Sequence, residues 1–183
     1  MPLPEDEAHE LLLLGILRHG PMHGYALNTW IAHNWEACTA LKKPTAYYLL
    51  NKMTHRGWVT WDEDQRSRGP QRRIYHLTPE GEIAFWHLLR KNLSTHQPVY
   101  FAGDVGLSFL DVLSPDEARS LLQSRLEQVR ARQRALQNAP VHPGTAALAL
   151  EHQRYHLAAE AQWLEHLLER LSTQFCLTEE SHG

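Results

Sequence analysis

The chain has 183 residues, of which 43% are hydrophobic and 21% charged, enough for one compact domain with an appendage or two small domains, so disorder is not the default expectation. Its formal net charge is −3, so a nucleic-acid partner would have to be recognised by a local basic patch and not by the molecule as a whole. No apolar run approaches the ~20 residues that span a bilayer, and the acidic start Glu5, Asp6, Glu7 and Glu10 is opposite in sign to a secretory leader, so a cytoplasmic protein is expected.

In chain order, a first amphipathic helix is predicted from about Asp6 to Arg18, with Leu13, Leu14 and Leu17 inward and Gly20-Pro21 ending it. A second follows from about His23 to Asn34, its inner face supplied by Ala26, Trp30 and Ile31, with Gly24 permitting a close approach. The third runs from Pro44, suited to a first turn because it lacks the N–H that would be unpaired there, to Arg56, with Gly57 as its stop. Its faces differ in chemistry. Tyr47, Leu50 and Met53 recur at helical spacing toward a core, and Thr45, Tyr48, Lys52 and His55 lie on the opposite side. A strand Trp58 to Trp61, a polar loop Asp62 to Gln71 and a returning strand Arg72 to Leu77 come next, the last alternating Arg73, Tyr75, Leu77. Thr78-Pro79-Glu80 then caps a fourth helix that continues to about Leu93 and buries Ile83, Phe85 or Trp86, and Leu89. Three helices, a hairpin and a helix are the order of a winged helix-turn-helix domain, assigned to residues 1–95.

Residues 96–183 are predicted to be helical. Val105, Phe109, Val112 and Leu113 suggest a short helix, and Ser114-Pro115-Asp116-Glu117 is a capping box that opens a longer one carrying Leu122, Leu126, Val129, Gln133 and Leu136. Asn138 to Thr145, with two prolines and a glycine, interrupts it. Leu150, Leu157, Leu164 and Leu171 then recur at every seventh position. Two such helices form an antiparallel hairpin, and the leucine stripe is expected to be a dimerisation seam. The fold class is therefore mainly α with a small β-hairpin wing, plus a helical C-terminal dimerisation region.

Charge is unevenly distributed. Between Cys38 and His76 the basic residues are Lys42, Lys43, Lys52, Arg56, Arg66, Arg68, Arg72 and Arg73 against Asp62, Glu63 and Asp64, a local net of +5 that leaves −8 for the remainder. A helix in the major groove reads base edges, while flanking charges fix its register on phosphates. Lys42 and Lys43 at the helix entrance are expected phosphate contacts. Thr45, Tyr48, Asn51 and Lys52 are expected to reach the groove, Asn51 through its pairing with adenine and Lys52 through donation to guanine. Tyr48 has a second option, packing against the wing. Arg66, Arg68, Arg72 and Arg73 belong to the wing, on backbone or minor groove, unless one of the last two turns inward beside Tyr75.

Three ordered blocks resemble the PadR-type transcriptional regulators: Leu13-Leu14-Gly15-Ile16-Leu17 with Gly20-Pro21-Met22-His23-Gly24-Tyr25; Ala46-Tyr47-Tyr48-Leu49-Leu50-Asn51-Lys52-Met53 with Gly57-Trp58-Val59; and Gly69-Pro70 through Arg72, Arg73, Tyr75, Leu77-Thr78 to Glu80-Gly81. The remaining chain is similar to the longer helical tail of the subgroup related to virulence-activator regulators. The resemblance implies a homodimer on double-stranded DNA and, in some relatives, a phenolic or planar effector. A repressor on an inverted-repeat operator is the expected function; the alternative is a winged-helix protein-interaction or ligand-sensing module without DNA binding.

Other candidate sites carry less. Among 13 histidines, His152 and His156 are one helical turn apart, a spacing that can bind a metal, but no third ligand is evident and no metal or cofactor is assigned. Cys38 and Cys176 lack zinc or redox spacing and are expected to be free, buried thiols. Trp30, Trp35, Trp86 and Trp163 are candidates for an aromatic effector pocket between the winged domain and the tail, or for plain core positions. No nucleophile, acid/base pair or phosphate-binding loop is present, so no enzyme is expected.

Overall fold

Glu10, Leu13, Leu14 and Leu17 stand at i, i+3, i+4 and i+7 on α1 (Glu5–Leu17), and all four are buried. This is the periodicity of a helix laid against a core, with a carboxylate as its first member. The computed structural model describes residues 5–34, 41–64, 73–138 and 146–179, distributed over two compact units, Met1–Val99 and Tyr100–Gly183.

The first unit continues with β1 (Met22–His23), α2 (Gly24–Asn34), α3 (Lys43–His55), β2 (Val59–Glu63), β3 (Arg73–Leu77) and α4 (Pro79–Ser94). The three strands form an antiparallel sheet in the order β1-β3-β2, with Met22 opposite Tyr75 and Trp61 opposite the same residue on the other edge. The short β1 was not expected. Helix α2 follows it directly from Gly24 and buries Leu27 and Ile31, while Ala26 and Trp30 are only half-buried.

Gly57 ends α3 as expected, at φ +72°, which lets the Trp58 amide reach back to the Met53 carbonyl at 2.9 Å. Thr78 caps α4, accepting from the Gly81 amide at 3.0 Å and donating to the Gly57 carbonyl at 2.7 Å. The inner face of α4 is shifted from the expected one: Gly81, Ala84 and Leu88 are buried, whereas Ile83 is 71% exposed and Trp86 is exposed. The cause is Gly81, where a Cβ would lie 2.0 Å from the Trp58 carbonyl oxygen. Only glycine permits that contact, and the contact fixes which side of α4 turns inward.

The second unit comprises α5 (Gly103–Leu107), a 3-10 turn (Leu110–Val112), α6 (Pro115–Gln137) and α7 (Ala146–Glu179). Its start is broken where one short helix was expected, and Val105, Phe109 and Val112 are exposed. Ser114 caps α6 by accepting from the Glu117 amide at 3.3 Å. Leu122, Leu126, Ala161 and Leu164 form the hairpin core, with Leu171 packed against it, and Arg125 pairs with Glu160 and Arg130 with Glu165 across the two helices. Arg154 donates to the Leu136 carbonyl at 2.7 Å, satisfying an acceptor of the last turn of α6.

Part of the leucine stripe expected as a dimer seam packs within the chain. Leu164 is fully buried and Leu150 nearly so within one chain, and Leu157 and Leu171 are half-buried. No described helix is long and apolar enough to cross a membrane.

Candidate nucleic-acid interface

Helix α3 begins with Lys42 and Lys43, has no acidic residue in its first turn, and lacks a side-chain cap. Cations at a helix N-terminus oppose the dipole. They are favourable when a phosphate is to be held there by the charge and the free amides together. Both lysines are exposed, and neither forms an ion pair among the described residues. Thr45 is half-buried one turn inside, and Tyr48 is 59% exposed.

Asn51 and Arg73 meet between helix and wing. The Arg73 guanidinium lies 4.0 Å over the Trp61 ring and donates to Asn51 Oδ1 at 3.4 Å. Trp61 on β2 thus serves as a flat support that holds an arginine of β3 beside the exposed face of α3. Of the two wing arginines considered for an inward turn, Arg73 is exposed and not directed at Tyr75, which is buried. Arg66, Arg68 and Arg72, like Cys38 and Trp35, lie outside the described residues.

Lys52, expected as a base-edge donor, is ion-paired within the domain. Its ammonium lies 2.9 Å from Asp6 and 3.1 Å from Glu10, both on α1. The hydrogen bond to Asp6, joined by the contacts with Glu10, raises its pKa above the ordinary 10.5, against the opposing effect of burial. Arg56 adds a second cation to Glu10 at 3.2 Å. Glu10 needs these partners because a buried carboxylate is costly unless paired and hydrogen-bonded. Two of the eight local cations therefore tie α1 to α3. The sequence carried a signal for this, an acid on the leucine stripe of α1. Trp61 as an arginine support was also missed, and pairing across β2 and β3 is what makes it visible.

The tryptophans separate. Trp30 packs against the first unit's core, Trp86 stacks edge-to-face on Phe85 with Arg18 and Arg90 over its face, and Trp163 lines a cavity of the second unit. Tyr47, expected in the core, is half-buried and lies where Gly24 leaves room for it: a Cβ there would stand 2.8 Å from its ring.

Three helices, an antiparallel sheet with an arginine-bearing wing, and a closing helix define a winged helix-turn-helix protein. Residues 13–86 match the Transcriptional regulator PadR-like family. The chain thus carries a PadR-like transcriptional-regulator domain, in a mainly helical protein with a helical C-terminal region. It is similar to the Negative transcriptional regulator PadR of Bacillus subtilis strain 168, 24% identical over 127 residues that cover 69% of this chain and 70% of that protein. Among solved structures, Bacillus subtilis PadR in complex with operator DNA has a TM-score of 0.72 at 23% identity, covering 88% of this chain and 98% of that one. The same protein with p-coumaric acid also scores 0.72 at 23% identity, covering 89% and 98%. The Vibrio cholerae virulence activator AphA scores 0.70 at 19% identity, covering 91% and 99%.

Proposed function

We propose that this chain is a DNA-binding repressor that acts as a homodimer on an inverted-repeat operator and is released by a small aromatic effector. The observation that carries the reading is the cluster of Asn51, Arg73 and Trp61, which sets an amide able to read a base edge next to a supported wing guanidinium. Lys42 and Lys43, together with Arg66, Arg68 and Arg72, supply phosphate contacts; Thr45 and Tyr48 flank Asn51 in the groove. Lys52 serves the domain from inside. Repression is supported by the name of the Bacillus relative, DNA and effector by the ligands of the two PadR complexes.

The homodimer would use the remaining surface of the stripe at Leu157 and Leu171 together with further apolar side chains of the second unit. Val105, Phe109, Val112 and Leu121, all more than half exposed on the second unit, form the apolar surface offered to a second copy. Two-fold symmetry of the pair would impose a palindromic operator.

Selection of bound fragments from the source genome by the purified chain tests this reading. The expected result is a recurrent inverted repeat, with affinity that falls steeply with salt. Failure to retain fragments above background would leave the protein-interaction alternative in its place, and retention without sequence bias would remove the inverted-repeat operator.

A further inference from the structure

His152 and His156 stand on the exposed side of α7, opposite the buried Leu150, Ala161 and Leu164. Their Nε2 atoms converge to 3.1 Å, with ring centroids 4.5 Å apart and planes at 87°. One turn of helix brings the rings together and an N–H···N hydrogen bond links the two Nε2 atoms, so a bound ion would take the place of the proton they share. For an ion ~2.05 Å from each nitrogen, the usual zinc–imidazole distance, this separation subtends roughly 100°, between the right angle of tetragonal sites and the tetrahedral angle.

We infer that His152 and His156 form a chelating site for a borderline divalent transition-metal ion, with Cu2+ held most strongly and Ni2+ and Zn2+ after it. Neutral imidazole nitrogens are ligands of this class, and the order follows the general affinity series for nitrogen donors. Hard ions such as Mg2+ and Ca2+ prefer oxygen and are not expected. The stem is rigid: α7 is fastened to α6 by Leu164 on one side and by the Arg154 bond to Leu136, so few degrees of freedom are lost when the rings close on an ion. His156 also borders a cavity of about 510 Å³ with Asp104 and Glu160. Glu160 is committed to Arg125 at 2.5 Å. Among the described residues no third side chain is placed to join the two histidines, so water would fill the remaining positions. The site is independent of the DNA-binding reading.

The test uses the full chain without a purification tag, titrated calorimetrically with Cu2+, Ni2+ and Zn2+ in a non-coordinating buffer. The expected result is one tightest site per chain, a rise in unfolding temperature with the ion, and nitrogen coupling from two imidazoles in the Cu2+ resonance spectrum. His152→Ala and His156→Ala should each weaken that site at least about 10-fold, the lower range seen for losing even an outer-shell partner. His166→Ala, exposed on the same helix, should leave it unchanged. Alanine favours an exposed helix, so the variants should fold, as circular dichroism would show. The inference is overturned if the wild-type chain shows no tight site. It is equally overturned if the double variant keeps that site, or if His166→Ala weakens it as much, since binding would then be spread over the 13 histidines.

Discussion

Lys52 Nζ lies 3.1 Å from Oε1 of Glu10, a carboxylate only 1% exposed on the leucine face of α1. This bond ties the first helix of the domain to the helix that presents the candidate DNA-reading residues. Removing the carboxylate's charge should leave two cations without their shared partner. Glu10→Ala is therefore expected to lower stability by about 2–4 kcal/mol, less than for a fully buried pair because Lys52 and Arg56 are partly exposed. A urea denaturation midpoint unchanged from wild type would show that the network contributes nothing net.

The same contact has a definite pH dependence. Folding raises the Lys52 pKa, so its contribution is fully present below the ordinary 10.5 and is lost as pH rises through the higher folded value. The stability difference between wild type and Lys52→Met should be constant around neutrality and shrink only in strongly alkaline solution. Glu82 behaves oppositely: the hydrogen bond from Arg18 lowers its pKa, so its contribution is present above 4.5 and is lost as pH falls through the folded value. Urea titrations of Lys52→Met and Glu82→Gln across the pH range check both signs.

Gly81→Ala should be among the most damaging single-methyl changes in the first unit. Its Cβ would lie 2.0 Å from the Trp58 carbonyl oxygen and 2.7 Å from Leu77 Cδ1, and the backbone contact cannot yield without moving α4. A loss of about 2–3 kcal/mol is expected, at the upper end for overpacking. Thr78→Val, which removes the cap and the bond to Gly57, should cost about 1–2 kcal/mol. Thermal melts of the two variants provide the comparison.

Arg73→Ala should weaken binding to operator and random DNA alike and reduce the salt slope by about 1. Trp61→Ala should have a similar effect by releasing the guanidinium from its support. Asn51→Ala should instead cost about 1–3 kcal/mol at particular base pairs. Lys52→Ala should change stability and spare the base preference. Anisotropy titrations at several salt concentrations, on operator and scrambled duplexes, separate these outcomes.

The two roles of apolar side chains in the C-terminal unit can also be separated. Leu164→Asp would place an unpaired carboxylate in a fully buried site and should unfold the α6–α7 hairpin. Val105→Asp with Phe109→Asp, both exposed, should leave helicity intact, dissociate the dimer and weaken operator binding through loss of the second half-site. Sedimentation at fixed helicity decides; a folded, fully dimeric double variant would move the interface elsewhere.

The order of α1 to α4 with the β2–β3 hairpin, the Thr78 and Ser114 caps, the Gly57 stop and the leucine core of α1 were all determined by the sequence itself. Each rests on local chemistry, a period, a cap or a positive φ, acting within a few residues. Even the pairing of α6 and α7 was legible from their stripes. Tertiary structure alone decided that Leu164, with Leu171 against it, packs on the neighbouring helix of the same chain, which a repeat by itself cannot distinguish from packing on a second subunit. It also decided the face of α4, where the close Gly81–Trp58 approach goes with Ala84 and Leu88 inward and Ile83 exposed. Lys52 shows the same limit at the candidate site. A lysine on a polar helix face is solvent-exposed or internally paired according to what lies 46 residues earlier in the chain, and only folding brings Asp6 and Glu10 within reach of its charge.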